Sequence, residues 1–221
     1  AMAKLSGAKV RYGFARSALR EPASRVFLTH GIEVEAQINI VRKNLGLAKA
    51  ALGIAVPDSD FGFPIFTEPS HAAEAGQIAG RAGGEIALLN PAAGWVTKMW
   101  PAENFGRLAD VLWDRLGLAS VVAVGPGEDD LADRALAASS SGRAFVARPS
   151  LKGFYELAKR SRVYVGGDTG PMHLAVAAGT PIVGLFGPTE WRRNGSPTAE
   201  DIGVERDVEA GGDRAGGRQG G

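Results

Sequence analysis

The chain has 221 residues and a formal net charge of +1, from 25 Lys plus Arg against 24 Asp plus Glu, which argues against affinity for nucleic acid or a membrane surface through bulk charge. It contains no cysteine, which removes disulfides, thiolate metal sites and a cysteine nucleophile. With 45% hydrophobic and 22% charged residues, the composition is that of an ordinary globular protein of one or two domains.

In chain order, alternating Val10, Tyr12 and Phe14 predict a short strand over residues 9–14. A basic stretch follows, in which Arg16 and Arg20, four residues apart, are expected to share a helical face. Val34, Ile38, Val41, Leu45 and Leu52 recur at helical spacing over 33–52, and Gly53 is placed to end that helix. Residues 54–69 are rich in Pro, Asp and Phe without periodicity and read as a linker.

Beyond the linker the pattern becomes regular. Helices are predicted over 72–81, 101–116, 129–138, 151–160 and 172–178, with Ser150 capping the fourth. Between them lie short apolar strands at 86–89, 121–124, 144–147, 163–165 and 182–186. Strands alternating with helices imply a parallel sheet covered on both faces, a doubly wound, Rossmann-like domain. No run approaches the roughly 18 apolar residues of a membrane span, and the N-terminus has no apolar signal-peptide core. A cytoplasmic location is the expectation.

Ligands of such a sheet sit beyond the carboxyl ends of the strands. The loops leaving those ends are NPAAGWVTKMWP, GPGEDD, GGDTGPMH and FGPTEWRRNG, all rich in Gly and polar residues. In GGDTGPMH, Asp168 and Thr169 are N-cap types and Pro171 suits a first helical turn. The amides after Gly170 then form an anion pocket, with His173 in reach of a phosphate or sugar oxygen. The same residues also suit a plain helix cap with a surface histidine. Lys98, beside Thr97, precedes another helix, where a cation gains nothing from the dipole. Either it is a solvated charge, or an anion such as a diphosphate lies between it and the GGDTGPMH helix. Glu128 follows a glycine turn at a strand end, where a carboxylate accepts from ribose hydroxyls or compensates a helix N-terminus.

Several chemistries lose ground. GPGEDD lacks the third glycine of a dinucleotide fingerprint, and neither GxxxxGK[ST] nor GxSxG occurs. His30, His71 and His173 lie far apart without metal-ligand spacing.

Taken together, RYGFARSALREP, NPAAGWVTKMWP, GPGED and VGGDTGPMHLAVAAGTPIVGLFGPTEWRRNG resemble the family 9 glycosyltransferases, bacterial lipopolysaccharide heptosyltransferases, over about residues 4–197. The resemblance implies a GT-B fold, two Rossmann-like halves across a cleft. It implies inverting transfer of heptose from ADP-heptose to the inner core of lipopolysaccharide, with no cofactor. Thr97, Lys98, Asp168, Thr169, Gly170 and His173 are then expected to hold the diphosphate and sugar, and Glu128 to face the adenosine. Arg16 and Arg20 fall on the acceptor side, as a contact to an acidic lipid core or as ordinary surface. No DxD pair occupies a suitable loop, so Lys98 and the helix amides are expected to replace a metal. Partners are then an ADP-sugar and the lipopolysaccharide core, with peripheral contact at the cytoplasmic face of the inner membrane and no nucleic acid.

The family's catalytic base is an aspartate in a Gly-Asp loop near the start of its first domain, and AMAKLSGAK matches the middle of that domain. The expectation is therefore a remnant acceptor-side domain and linker at 1–69, a donor domain at 70–197 and a disordered Gly-rich tail at 198–221. The base is expected in a segment before residue 1. Two other readings stay open: a nucleotide-sugar-binding domain that does not catalyse, and another GT-B enzyme such as a nucleotide-sugar epimerase.

Overall fold

The computed structural model describes residues 2–19, 21–35, 38–55, 62–198 and 201–205. The N-terminal part carries α1 (Met2–Leu5), β1 (Tyr12–Phe14), β2 (His30–Ile32) and α2 (Ile40–Leu52), with β1 and β2 paired in parallel. Gly53 ends α2 in the left-handed conformation at φ 66°, which a glycine adopts without steric penalty. The helix starts seven residues later than the periodicity suggested. Asn39 sets that start: its Oδ1 accepts from the Val41 amide at 3.0 Å. The shared helical face of Arg16 and Arg20 does not form, because the 3-10 turn Arg16–Ala18 gives way to extended backbone at Leu19. Pro22 keeps Glu21 extended too. Arg20 itself lies outside the described residues.

The second part opens with α3 (Pro69–Gly80) and continues through β3 (Ile86–Asn90), α4 (Ala102–Leu116), β4 (Ala119–Ala123), α5 (Asp129–Ala137) and β5 (Ala144–Ala147). It then runs through α6 (Leu151–Ala158), β6 (Ser161–Gly167), α7 (Gly170–Ala177), β7 (Ile182–Phe186), α8 (Trp191–Asn194) and β8 (Ile202–Glu205). The sheet is all parallel in the order β5-β4-β3-β6-β7-β8. The chain thus winds outward from β3 in one direction, then returns past it and winds outward from β6. The strand order reverses between β3 and β6, where doubly wound sheets bind their ligands.

Alternate residues of each strand feed two cores. Ile86, Leu88, Tyr164, Ile182 and Phe186 meet Ala75, Leu157 and Met172 from α3, α6 and α7. Ala87, Leu89, Val122 and Val165 meet Phe105, Ala109 and Ala132 from α4 and α5 on the other face. Ser150 caps α6 as expected, its hydroxyl accepting from the Gly153 amide at 3.0 Å.

The segment expected to be a disordered tail contributes β8, which pairs with β7 along Val183–Phe186. The cause is tertiary. Trp191 lies over Gly184, Gly195 and Gly203, where an added Cβ would come within 2.4, 2.3 and 2.2 Å of its ring. Its amide donates to Glu205 Oε1 at 2.5 Å, and Asp201 accepts from the Ile182 amide at 2.8 Å. The two parts of the chain are joined at the same place. Asn39 donates to the Gly195 carbonyl at 2.9 Å and Arg42 to that of Pro197 at 3.2 Å.

Candidate nucleotide-sugar site

Both loops at the reversal point are built from the expected residues. After β3 the chain makes a short 3-10 turn, Val96–Lys98, whose last amide donates to the Trp95 carbonyl at 2.9 Å. After β6, Asp168 leads directly into α7. Lys98 Nζ donates to Asp168 Oδ2 at 2.8 Å, with the two side chains 19% and 11% exposed. His173 Nε2 lies 3.8 Å from the other carboxylate oxygen of Asp168. A cation, an anion and an imidazole thus form one cluster across the gap between β3 and β6.

The plain-cap alternative for GGDTGPMH is not what forms. Thr169 occupies the N-cap position of α7, yet neither its side chain nor that of Asp168 caps the helix. Thr169 Oγ1 donates back to the Gly167 carbonyl at a long 3.3 Å. The first-turn amides of Gly170 and Met172 have no intrahelical acceptor, Pro171 having no N–H, and so point their positive ends out of the helix start.

Beside this cluster lies a cavity of about 360 Å³ lined by Asn90, Glu128, Pro149, Phe154, Thr169 and Leu174, among others. Its lining comes from the carboxyl ends of β3, β4, β5 and β6, with apolar walls and a few polar groups, the usual make-up of a small-molecule site. Glu128 closes the GPGE loop, its Oε2 accepting from the Gly125 amide at 2.6 Å, and it is one of the residues that line the cavity. Asp129 and Asp130, in the first turn of α5, pair with Arg148 and Arg134 and are part of the surface. Thr97 is exposed on its turn, outside the cavity lining, and its carbonyl approaches Gly187 of the FGPT loop. Trp100 packs edge-on against Phe105 at 5.0 Å, while Trp95 is 71% exposed. Among the described residues, no group of three or more His, Cys, Asp or Glu side chains is arranged to hold a metal ion.

A larger cavity, about 690 Å³, separates the N-terminal part from α8 and is lined by Phe14, Ile38, Lys43, Glu190, Arg192 and Arg193, among others. Arg16 is exposed and outside that lining. Lys43 had no signal in the sequence beyond its place on α2. It is held there by the Ala18 carbonyl at 2.8 Å and by the Phe14 ring, whose centroid is 4.8 Å from Nζ. Tyr164 and Asn90 were also missed: Tyr164 lies inside a predicted apolar strand and reads as interior, and Asn90, at the head of the NPAAGWVTKMWP loop, has no signal of its own. Asn90 donates to the Ala123 carbonyl at 2.9 Å, and its Oδ1 has no partner among the described residues. Burial pushes the Tyr164 phenol upward, with the Thr169 side chain as the opposing influence.

The family model for glycosyltransferase family 9 (heptosyltransferase) matches residues 1–213. Lipopolysaccharide heptosyltransferase 1 of Pseudomonas aeruginosa is 30% identical over 177 residues, 80% of this chain and 48% of that protein. Escherichia coli heptosyltransferase WaaC solved with ADP shares the fold at a TM-score of 0.69 and 23% identity, over 89% of this chain and 59% of that one. The same enzyme with ADP-2-deoxy-2-fluoro heptose gives 0.68 and 24%, over 88% and 58%. The chain therefore spans about half the length of that curated relative and less than two thirds of the solved ones. With a family match along nearly its whole length on a doubly wound sheet of this order, the chain belongs to glycosyltransferase family 9.

Proposed function

We propose that this chain binds ADP-heptose between the β3 and β6 loops and serves inverting, metal-independent transfer of the heptose to the inner core of lipopolysaccharide. The observation that carries the reading is the meeting of Lys98 with the start of α7 across the strand-order reversal. In the reaction the bond between the sugar anomeric carbon and the diphosphate oxygen breaks, and ADP leaves with the electron pair. The acceptor oxygen bonds that carbon from the opposite face and gives up its proton to a base. Negative charge grows on the leaving diphosphate, so fixed positive groups at that point act more strongly in the transition state than before it. Lys98 and the first amides of α7 are those groups. No base is assigned among the described residues.

Asp168 suits the sugar and not the diphosphate. A carboxylate repels phosphate, but it accepts hydrogen bonds from sugar hydroxyls and holds Lys98 in register until the ligand arrives. Glu128, on the lining of the same cavity, suits the adenosine.

Calorimetric titration with ADP tests the reading. Lys98→Ala is expected to weaken ADP about ten- to a hundredfold, the usual loss for a charged hydrogen bond. Folded protein that does not bind ADP, or binds it equally well without Lys98, removes the proposal. The non-catalytic alternative is separated by activity: ADP-heptose bound without transfer, even with the segments that relatives carry beyond this chain, supports a binding domain.

A further inference from the structure

The buried residues of both hydrophobic cores fall between Ala75 and Phe186, and the N-terminal part adds none to them. Its hydrogen bonds to the second part come from the start of α2. Asn39, only 7% exposed, uses both ends of its amide there. Its Oδ1 accepts from the Val41 amide at 3.0 Å and caps α2, while its Nδ2 donates to the Gly195 carbonyl at 2.9 Å. Arg42, one turn further on, donates to the Pro197 carbonyl at 3.2 Å. Residues 187–195 run from the donor site to this contact. At their start, a Cβ added at Gly187 would lie 3.6 Å from the carbonyl oxygen of Thr97, the neighbour of Lys98. Further on, Glu190, Arg192 and Arg193 line the 690 Å³ cavity together with Phe14 and Lys43 of the N-terminal part. At their end, Gly195 lies against the Trp191 ring and offers its carbonyl to Asn39.

We propose that Asn39 is a positioning residue, acting through Gly195, that clamps the N-terminal part to the segment bordering the donor site. The clamp sets the spacing between the two walls of the 690 Å³ cavity. Parts of a chain that meet through polar contacts move relative to one another by default, so a hydrogen bond between buried groups biases which arrangement is populated. The consequence for transfer is geometric. The acceptor oxygen must lie in line with the breaking bond, and a displacement of about 1 Å is costly. The clamp itself does not depend on the donor reading. Its use, keeping an acceptor in that cavity aligned with a sugar held at Lys98 and Asp168, rests on it.

Asn39→Ser separates the two ends of the amide. Serine is as good an N-cap as asparagine, so α2 keeps its start, but serine has no second arm to reach Gly195. The chain has no cysteine, so Leu52→Cys on α2 and Val111→Cys on α4, at sites 69% and 54% exposed, carry spin labels at known places. The distance distribution between the labels reads the placement of the two parts without nucleotide. In the Asn39→Ser background it is expected to broaden, with any displaced population rising about three- to tenfold, the loss of one neutral hydrogen bond. Asn39→Asp keeps the cap and sets an acceptor against the Gly195 carbonyl, and is expected to broaden it further. Helical ellipticity and calorimetric ADP affinity are expected to stay as they are in the unaltered chain. An unchanged distribution in both variants overturns the clamp. Broadening that comes with lost helical ellipticity assigns Asn39 to the cap alone, and a fall in ADP affinity assigns it to the donor site; each overturns the proposal. Failure of the unaltered chain to bind ADP is a different result: it removes the donor reading and leaves the distance result standing.

Discussion

Single residues carry most of the chemistry, and their partners decide what they do. Lys98 is not a free cation waiting for phosphate; it is held by Asp168 in a pair mostly out of water. Asp168→Asn removes the competing anion, so ADP affinity is expected to hold or rise while affinity for the ADP-sugar falls. Titrating both ligands against this variant checks the split, and parallel losses would put Asp168 on the diphosphate instead. Asp110 shows a purely structural use of the same group. Burial works against its ionisation, but hydrogen bonds from the Ser139 hydroxyl, the Ser140 amide and hydroxyl and the Ser141 amide outweigh it. Its carboxyl is therefore held well below the usual carboxylate range. A lowered folded value means that the stabilisation is complete above the unfolded value of about 3.9 and is lost as pH falls below it. Urea midpoints between pH 5 and pH 2 are expected to fall less steeply in Asp110→Ala than in the unaltered chain.

At the scale of elements, close approach governs packing. Helices α4 and α5 touch at Gly106, where an added Cβ would lie 2.0 Å from the Ala135 carbonyl oxygen. Gly106→Ala gains about 1 kcal/mol of helix propensity, against overpacking of about 1–3 kcal/mol or more. A backbone oxygen cannot swing aside as a flexible side chain does. A net loss of about 1–2 kcal/mol is expected from chemical denaturation, and a gain would mean that the two helices separate freely. Buried Glu156 ties the linker to α6 in the same manner. It accepts from Thr67 at 2.7 Å and from Lys159 and Arg160 at 3.2 Å, which lowers its carboxyl despite burial.

At the scale of the whole molecule, one sheet face has a groove that none of the described residues covers. Val163, Val165, Val183 and Leu185 of β6 and β7 line a shallow groove beside Leu108, Leu112 and Leu116 of α4. By register, Ile202 and Val204 of β8 continue that face at 59% and 51% exposure. Parallel sheets are normally covered on both sides, and contiguous apolar surface of this kind binds apolar probes. Ile202→Lys together with Val204→Lys is expected to lower the fluorescence of a bound apolar dye while leaving ADP affinity unchanged. Undiminished dye binding would locate the apolar surface elsewhere.

How much of this was legible in the sequence follows from what each feature depends on. Strands β3 to β7 and the helices between them were readable because their signals are local: apolar runs, Ser150 before a helix, Gly53 after one. The loops bearing Lys98, Glu128 and Asp168 were readable because parallel strands put their carboxyl-end loops on one edge. Strand β8 was not, since four residues in a polar, Gly-rich stretch become a strand only where Trp191 lies over three glycines and β7 offers an edge. Nor were the Lys98–Asp168 pair, 70 residues apart in the chain, and the buried, unpartnered Oδ1 of Asn90. The sequence by itself determined the fold class, the family and which loops share the carboxyl edge of the sheet, because periodicity, motifs and turn residues act over a few neighbours. Only the tertiary structure decided which charges pair and which buried polar atoms stay unsatisfied, because burial and partnership are set by segments the chain brings together from far apart.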